Sequence, residues 1–228
     1  VVFQSALAIA FLIGTGVLFA QTNHIRTTDA GFRRDGIVIV PSTQDQAMED
    51  SQRTAFLNRV RALPGVRMVA MSDSVPGWSN GNSNSYAVPG VAGAGPSLQW
   101  ITTGPGFFDL YDVRVIAGRG FDGRHRLDDF HNWKDPVNVV INRRAVAVLG
   151  FASPQDAIGK IIAPADSPRT IVGVVDNARF FSPRDPINPT LYYYFSSEKP
   201  FNPKTSVLVD GDPRAMIPQI EAIWQQVA

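Results

Sequence analysis

Cysteine is absent from the 228-residue chain. That excludes disulfides, thiolate nucleophiles and cysteine metal ligands. It assigns no compartment. Charge is also sparse. Only 18% of residues are Asp, Glu, Lys or Arg, and the formal net charge is +1. No basic excess is present of the kind that tracks a nucleic-acid backbone. Two catalytic signatures are missing too. No H-E-x-x-H occurs, and Gly159-Lys160 has Pro154 where a phosphate-binding loop needs its first glycine. Carboxylates are scattered, so spacing names no acid–base pair.

The scarcest charge of all lies at the start. The first twenty residues carry none, and their polar members are Gln4, Ser5 and Thr15. About twenty apolar residues in helical form span roughly 30 Å, the thickness of a bilayer's hydrocarbon core. A backbone in lipid must satisfy its own hydrogen bonds, which favours a helix. Residues 1–22 therefore read as a transmembrane helix. Gly14 and Gly16 suit close approach of a neighbouring span, although no full G-x-x-x-G is present. A secretory signal would open with a basic segment and carry a shorter apolar run. A buried core helix of this length would carry a charge. The chain opens directly in apolar residues without an initiator Met, so it reads as a first span truncated near its start. Residues 23–228 then form one mass on one side of a membrane.

Nineteen glycines and seventeen prolines imply many turns and an irregular α+β chain. Ile37 to Val40 is a β-branched run and predicts the first strand. Thr43 with Gln46 has capping-box spacing. Phe56, Val60 and Leu63 then mark one helical face, ended by Pro64-Gly65. Val66 to Ser72 predicts a second strand. Val75 to Pro96 is rich in Gly, Ser, Asn and Pro and predicts a long loop or hairpin tip. Strands are expected at Leu98–Thr103, Val113–Val115, Val137–Ile141, Arg169–Val175, Leu191–Phe195 and Ser206–Val209. Asn142 is placed to cap a helix closed by Gly150. Asp212-Pro213 opens a closing helix with Met216, Ile220, Ile223 and Val227 on one face. Strand–helix–strand at the start and strand–helix at the end suggest a split β-α-β, ferredoxin-like subdomain with the middle of the chain inserted into it.

Few residues stand out as a site. Trp78, Asn80 and Asn82 sit in the Ser/Asn-rich loop, where Trp78 reads either as a loop anchor or as a contact for a partner or lipid. His125 and His131, with Asp128 and Asp129, could gather a metal, but Asp122 to Asp135 reads more plainly as a solvated polar insertion. Gly118-Arg119-Gly120 could hold an anion or form a tight turn. Tyr192 to Tyr194 could form a stacking surface, or alternate between the faces of a strand.

Taken in order, the motifs resemble those of the periplasmic core domain of MacB-like and FtsX-like ABC transporter permeases. Residues 4–16 resemble the family's first transmembrane helix. Asp29-Ala30-Gly31-Phe32 is similar to its exit motif, with Ala30 in place of a proline. Val60-Arg61-Ala62-Leu63-Pro64-Gly65-Val66 is similar to its helix-to-strand turn. Gly106-Phe107-Phe108 followed by Gly118-Arg119-Gly120-Phe121, and Val139-Val140-Ile141-Asn142, fit the pattern. So do Ile158-Gly159-Lys160 and Ile171-Val172-Gly173-Val174-Val175-Asp176, and Pro186-Ile187-Asn188-Pro189 falls where the family has a proline-containing run before its aromatic strand. The start of the last helix at Asp212-Pro213-Arg214-Ala215 is most similar to duplicated permeases of acidobacterial type.

The resemblance implies a porter-like part at about 35–104 and 203–228, with a smaller β-rich subdomain inserted at about 105–202. It implies a domain on the periplasmic side of the bacterial inner membrane, with no catalytic site, metal or cofactor. The implied partners are a cytoplasmic ABC ATPase acting through the permease, a permease dimer or second internal copy, and a periplasmic adaptor. The implied role is mechanical: hydrolysis moves the membrane helices, and the domain passes that motion to a substrate or partner. Two other readings compete, a membrane-tethered ligand-binding or sensor module and an extracytoplasmic hydrolase using His125 or His131.

Overall fold

The computed structural model describes residues 2–27, 29–44, 48–78, 81–163, 167–181, 186–196 and 201–227. In chain order its elements are α1 (Val2–Thr27), β1 (Ile37–Val40), α2 (Asp50–Arg61), β2 (Val66–Ser72), β3 (Ser83–Ser85), β4 (Ser97–Thr103), α3 (Phe107–Leu110) and β5 (Val115–Gly118). There follow β6 (Val137–Asn142), α4 (Arg143–Val148), α5 (Pro154–Ala157), β7 (Ile161–Ile162), β8 (Arg169–Val175), β9 (Thr190–Tyr194), β10 (Lys204–Val209) and α6 (Pro213–Val227).

The ten strands form one mixed sheet with the path β1-β10-β2-β4-β9-β6-β8-β5, with β3 beside β4 and β7 beside β8. β10 lies antiparallel between β1 and β2. This is the split β-α-β expected from the two ends of the chain. β2 meets β4 through the single pair Ser72↔Thr103, whereas β4 and β9 run parallel over five pairs. The sheet is therefore narrowest, and staggered, between β2 and β4.

Alternation of side chains along each strand builds three apolar clusters. Val69, Met71, Val207 and Val209 face α2 and α6, where they meet Phe56, Val60, Met216 and Ile220. Val139, Ile141, Leu191 and Tyr193 pack under α4 and α5. The opposite face of both halves carries one shared cluster, in which Ala70 and Leu208 join Val140 and Tyr192 beneath Phe107, Tyr111 and Phe180. Both faces of the sheet are thus covered. For that reason Tyr192, Tyr193 and Tyr194 are all buried; they form no exposed stacking surface and alternate between the two faces of the strand, Tyr192 in the shared cluster and Tyr193 under α4 and α5.

Local signals decide the helix ends. Asn142 Oδ1 accepts from the Ala145 N–H at 2.8 Å, and Gly150 closes α4 at φ +81°. The cap of α2 differs from expectation. Glu49 and Gln52 form its capping box, while Thr43 is buried in a 3-10 turn and donates to the Pro203 carbonyl; Gln46 lies outside the described residues. A buried hydroxyl needs a partner, and the Pro203 carbonyl, just before β10, supplies one. The strand expected at Val113–Val115 falls two residues later. Val75 to Pro96 is not simply a loop. β3 pairs with β4 inside it, and Tyr86 is fully buried with its hydroxyl 3.1 Å from that of Tyr193.

α1 packs differently from every other element. Phe11, Leu12 and Ile13 are all exposed, yet successive helical residues point about 100° apart. No one face of this helix is the apolar one. Its 21-residue stretch Phe3–Asn23 is long and apolar enough to cross a membrane, and none of it is buried against the domain.

Candidate functional site

The segment that leaves α1 docks at once on the shared cluster. The Gly31 N–H donates to Asp29 Oδ1 at 2.8 Å, the Arg179 N–H donates to the Ala30 carbonyl at 2.8 Å, and the Arg33 N–H donates to the Tyr111 carbonyl at 2.6 Å. Phe32 meets the ring of Phe180 edge-on at 4.8 Å and that of Tyr111 at 6.1 Å. Arg33 Nη1 reaches the Leu110 carbonyl at 3.0 Å. Tyr111 in turn shares a 2.7 Å hydrogen bond with Ser206 on β10. Burial pushes the Tyr111 hydroxyl up to about 12, against the opposing pull of Ser206, so this link stays neutral at physiological pH. Gly31 is at φ +72°, and a Cβ there would sit 2.1 Å from the Asn177 carbonyl oxygen. Only glycine lets the exit lie this close.

Beside the exit opens a cleft of about 620 Å³, lined by both charge signs, including Asp29, Arg33, Arg34, Asp112, Arg114 and Asp176. Burial would raise the Asp176 carboxyl. Arg114 at 2.8 Å, Arg143 at 3.1 Å and the Asn177 N–H more than offset that and hold it at about 2. Asp112 lies 3.7 Å from Arg33, with its side chain 76% exposed.

The residues singled out in the Ser/Asn loop are only partly brought together. Trp78 closes a tight turn with Val75, and the neighbouring Gly77 N–H donates to Phe180 at 2.7 Å. Its ring is 49% exposed and covers Lys204 Nζ at 5.1 Å. Lys204 is 2% exposed and donates to the Asp73 carbonyl at 2.8 Å. Trp78 is therefore an anchor whose outer face remains in solvent. Asn82 accepts from the Trp100 N–H and lines a polar cavity of about 310 Å³ with Gln99 and Asn188. Asn80 lies outside the described residues. Residues 77–81, Gly-Trp-Ser-Asn-Gly, do have G-x-S-x-G spacing, but a nucleophile elbow joins a strand to a helix. Here the run lies between the Val75–Trp78 turn and β3, and Ser79 is outside the described residues.

The segment from Asp122 to Asp135 is not a merely solvated insertion. Asp128 is 0% exposed. Arg119 holds both of its oxygens, at 2.6 and 2.8 Å, and Asn138 adds a third bond at 2.7 Å. Phe130 is buried against Tyr193. Asp122, His125 and Asp128 offer ligand atoms within 4.8 Å of one another, without His131. Two guanidinium groups already neutralise the two carboxylates: Arg124 reaches Asp122 at 2.7 Å, and Arg119 holds Asp128. His125, then Arg124, keeps the Asp122 carboxyl well below its usual range. The donor set suits a clasp that ties the insertion to the sheet, and it fits a dication poorly. Arg119 serves this clasp, with both terminal nitrogens on Asp128. Residues 118–123 also have G-x-G-x-x-G spacing after β5, but a three-residue 3-10 turn follows instead of a phosphate-binding helix.

Sequence reasoning passed over Arg169. It is fully buried and reaches Tyr193 Oη at 3.0 Å, the Asp135 carbonyl at 3.1 Å and the Trp133 carbonyl at 2.9 Å. The available signal was an arginine heading the run Thr-Ile-Val-Gly-Val-Val, a place where a charge must find partners.

No family model and no curated protein matches the chain. Solved structures do. The periplasmic region of MacB from Actinobacillus actinomycetemcomitans superposes with a TM-score of 0.55 at 13% identity, over 86% of this chain and 85% of that one. The extracellular domain of the noncanonic ABC-type transporter YknZ from Gram-positive bacteria gives a TM-score of 0.51 at 15% identity, over 84% and 90%. The fold of this chain is that of the extracytoplasmic domains of MacB-like ABC-type transporters.

Proposed function

We propose that this chain is a non-catalytic extracytoplasmic domain of an ABC-type permease. α1 lies in the cytoplasmic membrane, and residues 23–228 lie on the periplasmic side. Hydrolysis by a separate cytoplasmic ATPase shifts α1, and the domain carries that shift to a substrate or partner, as export or as mechanotransmission. The partners are that ATPase through the permease, a second permease copy in a dimer or in the same chain, and a periplasmic adaptor. Trp78 and Asn82, with Asn80 between them in sequence, are the proposed contacts for such a partner.

One observation carries the reading: the exit of an apolar helix whose Phe3–Asn23 stretch is not buried against the domain is bonded and stacked onto the domain core within a few residues. A slack tether would absorb a helix shift. An exit held by Gly31, Phe32 and Arg33 turns it into a rigid-body movement. The narrow β2–β4 junction supports a further division into a porter-like part at about 35–104 and 203–228 and an inserted part at about 105–202.

The chain has no cysteine, which makes the test direct. Lys134→Cys, at an exposed position, is introduced into the full-length protein, and intact cells stripped of outer membrane are treated with a membrane-impermeant maleimide. Labelling from outside is expected. Labelling only after the membrane is permeabilised would end the proposal.

A further inference from the structure

We infer that the charged cleft at the exit of α1 binds the headgroup of an amine-bearing zwitterionic phospholipid of the ethanolamine type. The inference rests on the membrane reading of α1. Depth comes first. α1 remains helical for four residues beyond Asn23, to Thr27, about 6 Å at 1.5 Å per residue. Asp29, two residues further, is at most about 7 Å beyond that. The near edge of the cleft therefore lies no more than about 13 Å from the hydrocarbon edge, at the outer margin of a headgroup layer about 5–8 Å thick on each side, where it can reach headgroups but not acyl chains.

Charge comes second. Three arginines and four aspartates line the cleft. A purely anionic ligand would meet the carboxylates, and a purely cationic one the guanidinium groups. A ligand carrying both charges a few ångströms apart satisfies both. Arg114 commits Nη2 to Asp176 and has further N–H donors for a phosphate. Asp112 is largely exposed and only loosely paired with Arg33, so its carboxylate suits a primary ammonium. The cleft volume of about 620 Å³ lies in the range of small-molecule sites, about 300–1,000 Å³. A trimethylated choline headgroup carries the same net charge but has no N–H to give Asp112, so the site discriminates between the two.

The whole chain is placed in lipid nanodiscs of phosphatidylcholine alone, or doped with phosphatidylethanolamine or phosphatidylglycerol. Amide hydrogen exchange is followed at residues 29–35 and 109–114. Ethanolamine lipid is expected to slow exchange there by about threefold or more relative to choline lipid. Asp112→Asn and Arg114→Gln should each remove that difference, and both are surface changes. Equal exchange in all discs would overturn the inference. Slowing by phosphatidylglycerol alone would also overturn it, because that would mean simple anion binding by the arginines. The same data report Phe3 to Asn23. Fast exchange there would sink the membrane reading itself, whereas a protected α1 with a lipid-indifferent cleft sinks only the headgroup site.

Discussion

Arg169 and Lys204 are both cations with almost no exposure, one in each half of the sheet, and they are housed in opposite ways. Arg169 heads β8 and is surrounded by acceptors: a tyrosine hydroxyl, a serine hydroxyl and the carbonyls of Trp133 and Asp135. Lys204 heads β10 under the ring of Trp78, with the Asp73 carbonyl as its bonded acceptor. Burial lowers its pKa, with the Asp73 charge acting the other way. The first arrangement is a rivet that fixes the insertion to the sheet by its backbone. The second is a thinly satisfied charge next to the narrowest part of the sheet. The inserted half is thus held by geometry, while the β2–β10 pair is held by a group whose charge state costs stability.

The sharpest way to break this contrast is Arg169→Met. The change removes a donor from the Trp133 carbonyl, one of two donors from the Asp135 carbonyl, which keeps Ser167, and one of two partners of the Tyr193 hydroxyl, which keeps Tyr86. Hydrogen bonds to a charged group contribute about 1.5–3 kcal/mol each, and with two of the three acceptors keeping another partner a total loss of about 3–5 kcal/mol is expected. Urea unfolding of the chain in detergent micelles measures it, with Trp133 as a fluorescent reporter. A loss under about 1 kcal/mol would show that Arg169 is no rivet.

Tyr193→Phe tests the same network more gently. Its hydroxyl bridges Arg169 Nε at 3.0 Å and the Tyr86 hydroxyl at 3.1 Å. Removing it leaves one donor of Arg169 and one hydroxyl of Tyr86 without that partner. The expected loss is about 1–3 kcal/mol in the same titration, with the double variant Tyr193→Phe/Arg169→Met costing less than the sum. Strict additivity would mean that the two side chains do not act through each other.

How far the sequence foretold this contrast depends on distance along the chain. β1, β2, β6 and β8 were legible because their β-branched runs are local. The Asn142 cap and the Gly150 stop were legible for the same reason. The split β-α-β could be read from the similarity of the two ends. Nothing local announces that Trp133 will hand its carbonyl to Arg169, 36 positions away, or that Asp73 will meet Lys204, 131 positions away. Polar composition misled in two places. Val75 to Pro96 hides Tyr86, and Asp122 to Asp135 hides Asp128 and Phe130, because one long-range bond outweighs several neighbouring serines or aspartates. The Asp29–Phe32 exit could be read as a motif. Its close docking on the domain could not, since that lies in the 2.1 Å between an absent Cβ at Gly31 and the Asn177 carbonyl.

The smallest expected effect sharpens the comparison most. At pH 7 Lys204→Met removes one hydrogen bond and one ring contact, and leaves the Asp73 charge nearby. The loss should be on the order of 1 kcal/mol, well below that of Arg169→Met. The pH dependence separates the two residues further. A base whose folded pKa is depressed from 10.5 binds its proton less readily in the fold than in the unfolded chain. The penalty is complete below the folded pKa, shrinks as pH rises through it, and is gone above 10.5. Wild-type stability therefore gains a rising component on the alkaline side, which Lys204→Met removes and Arg169→Met retains. Urea midpoints taken at neutral pH and near pH 10, compared as variant minus wild type, cancel the other lysines and tyrosines. A Lys204→Met difference that stays constant with pH would mean that the buried lysine is as settled as the arginine, and the contrast between the two halves of the sheet would disappear.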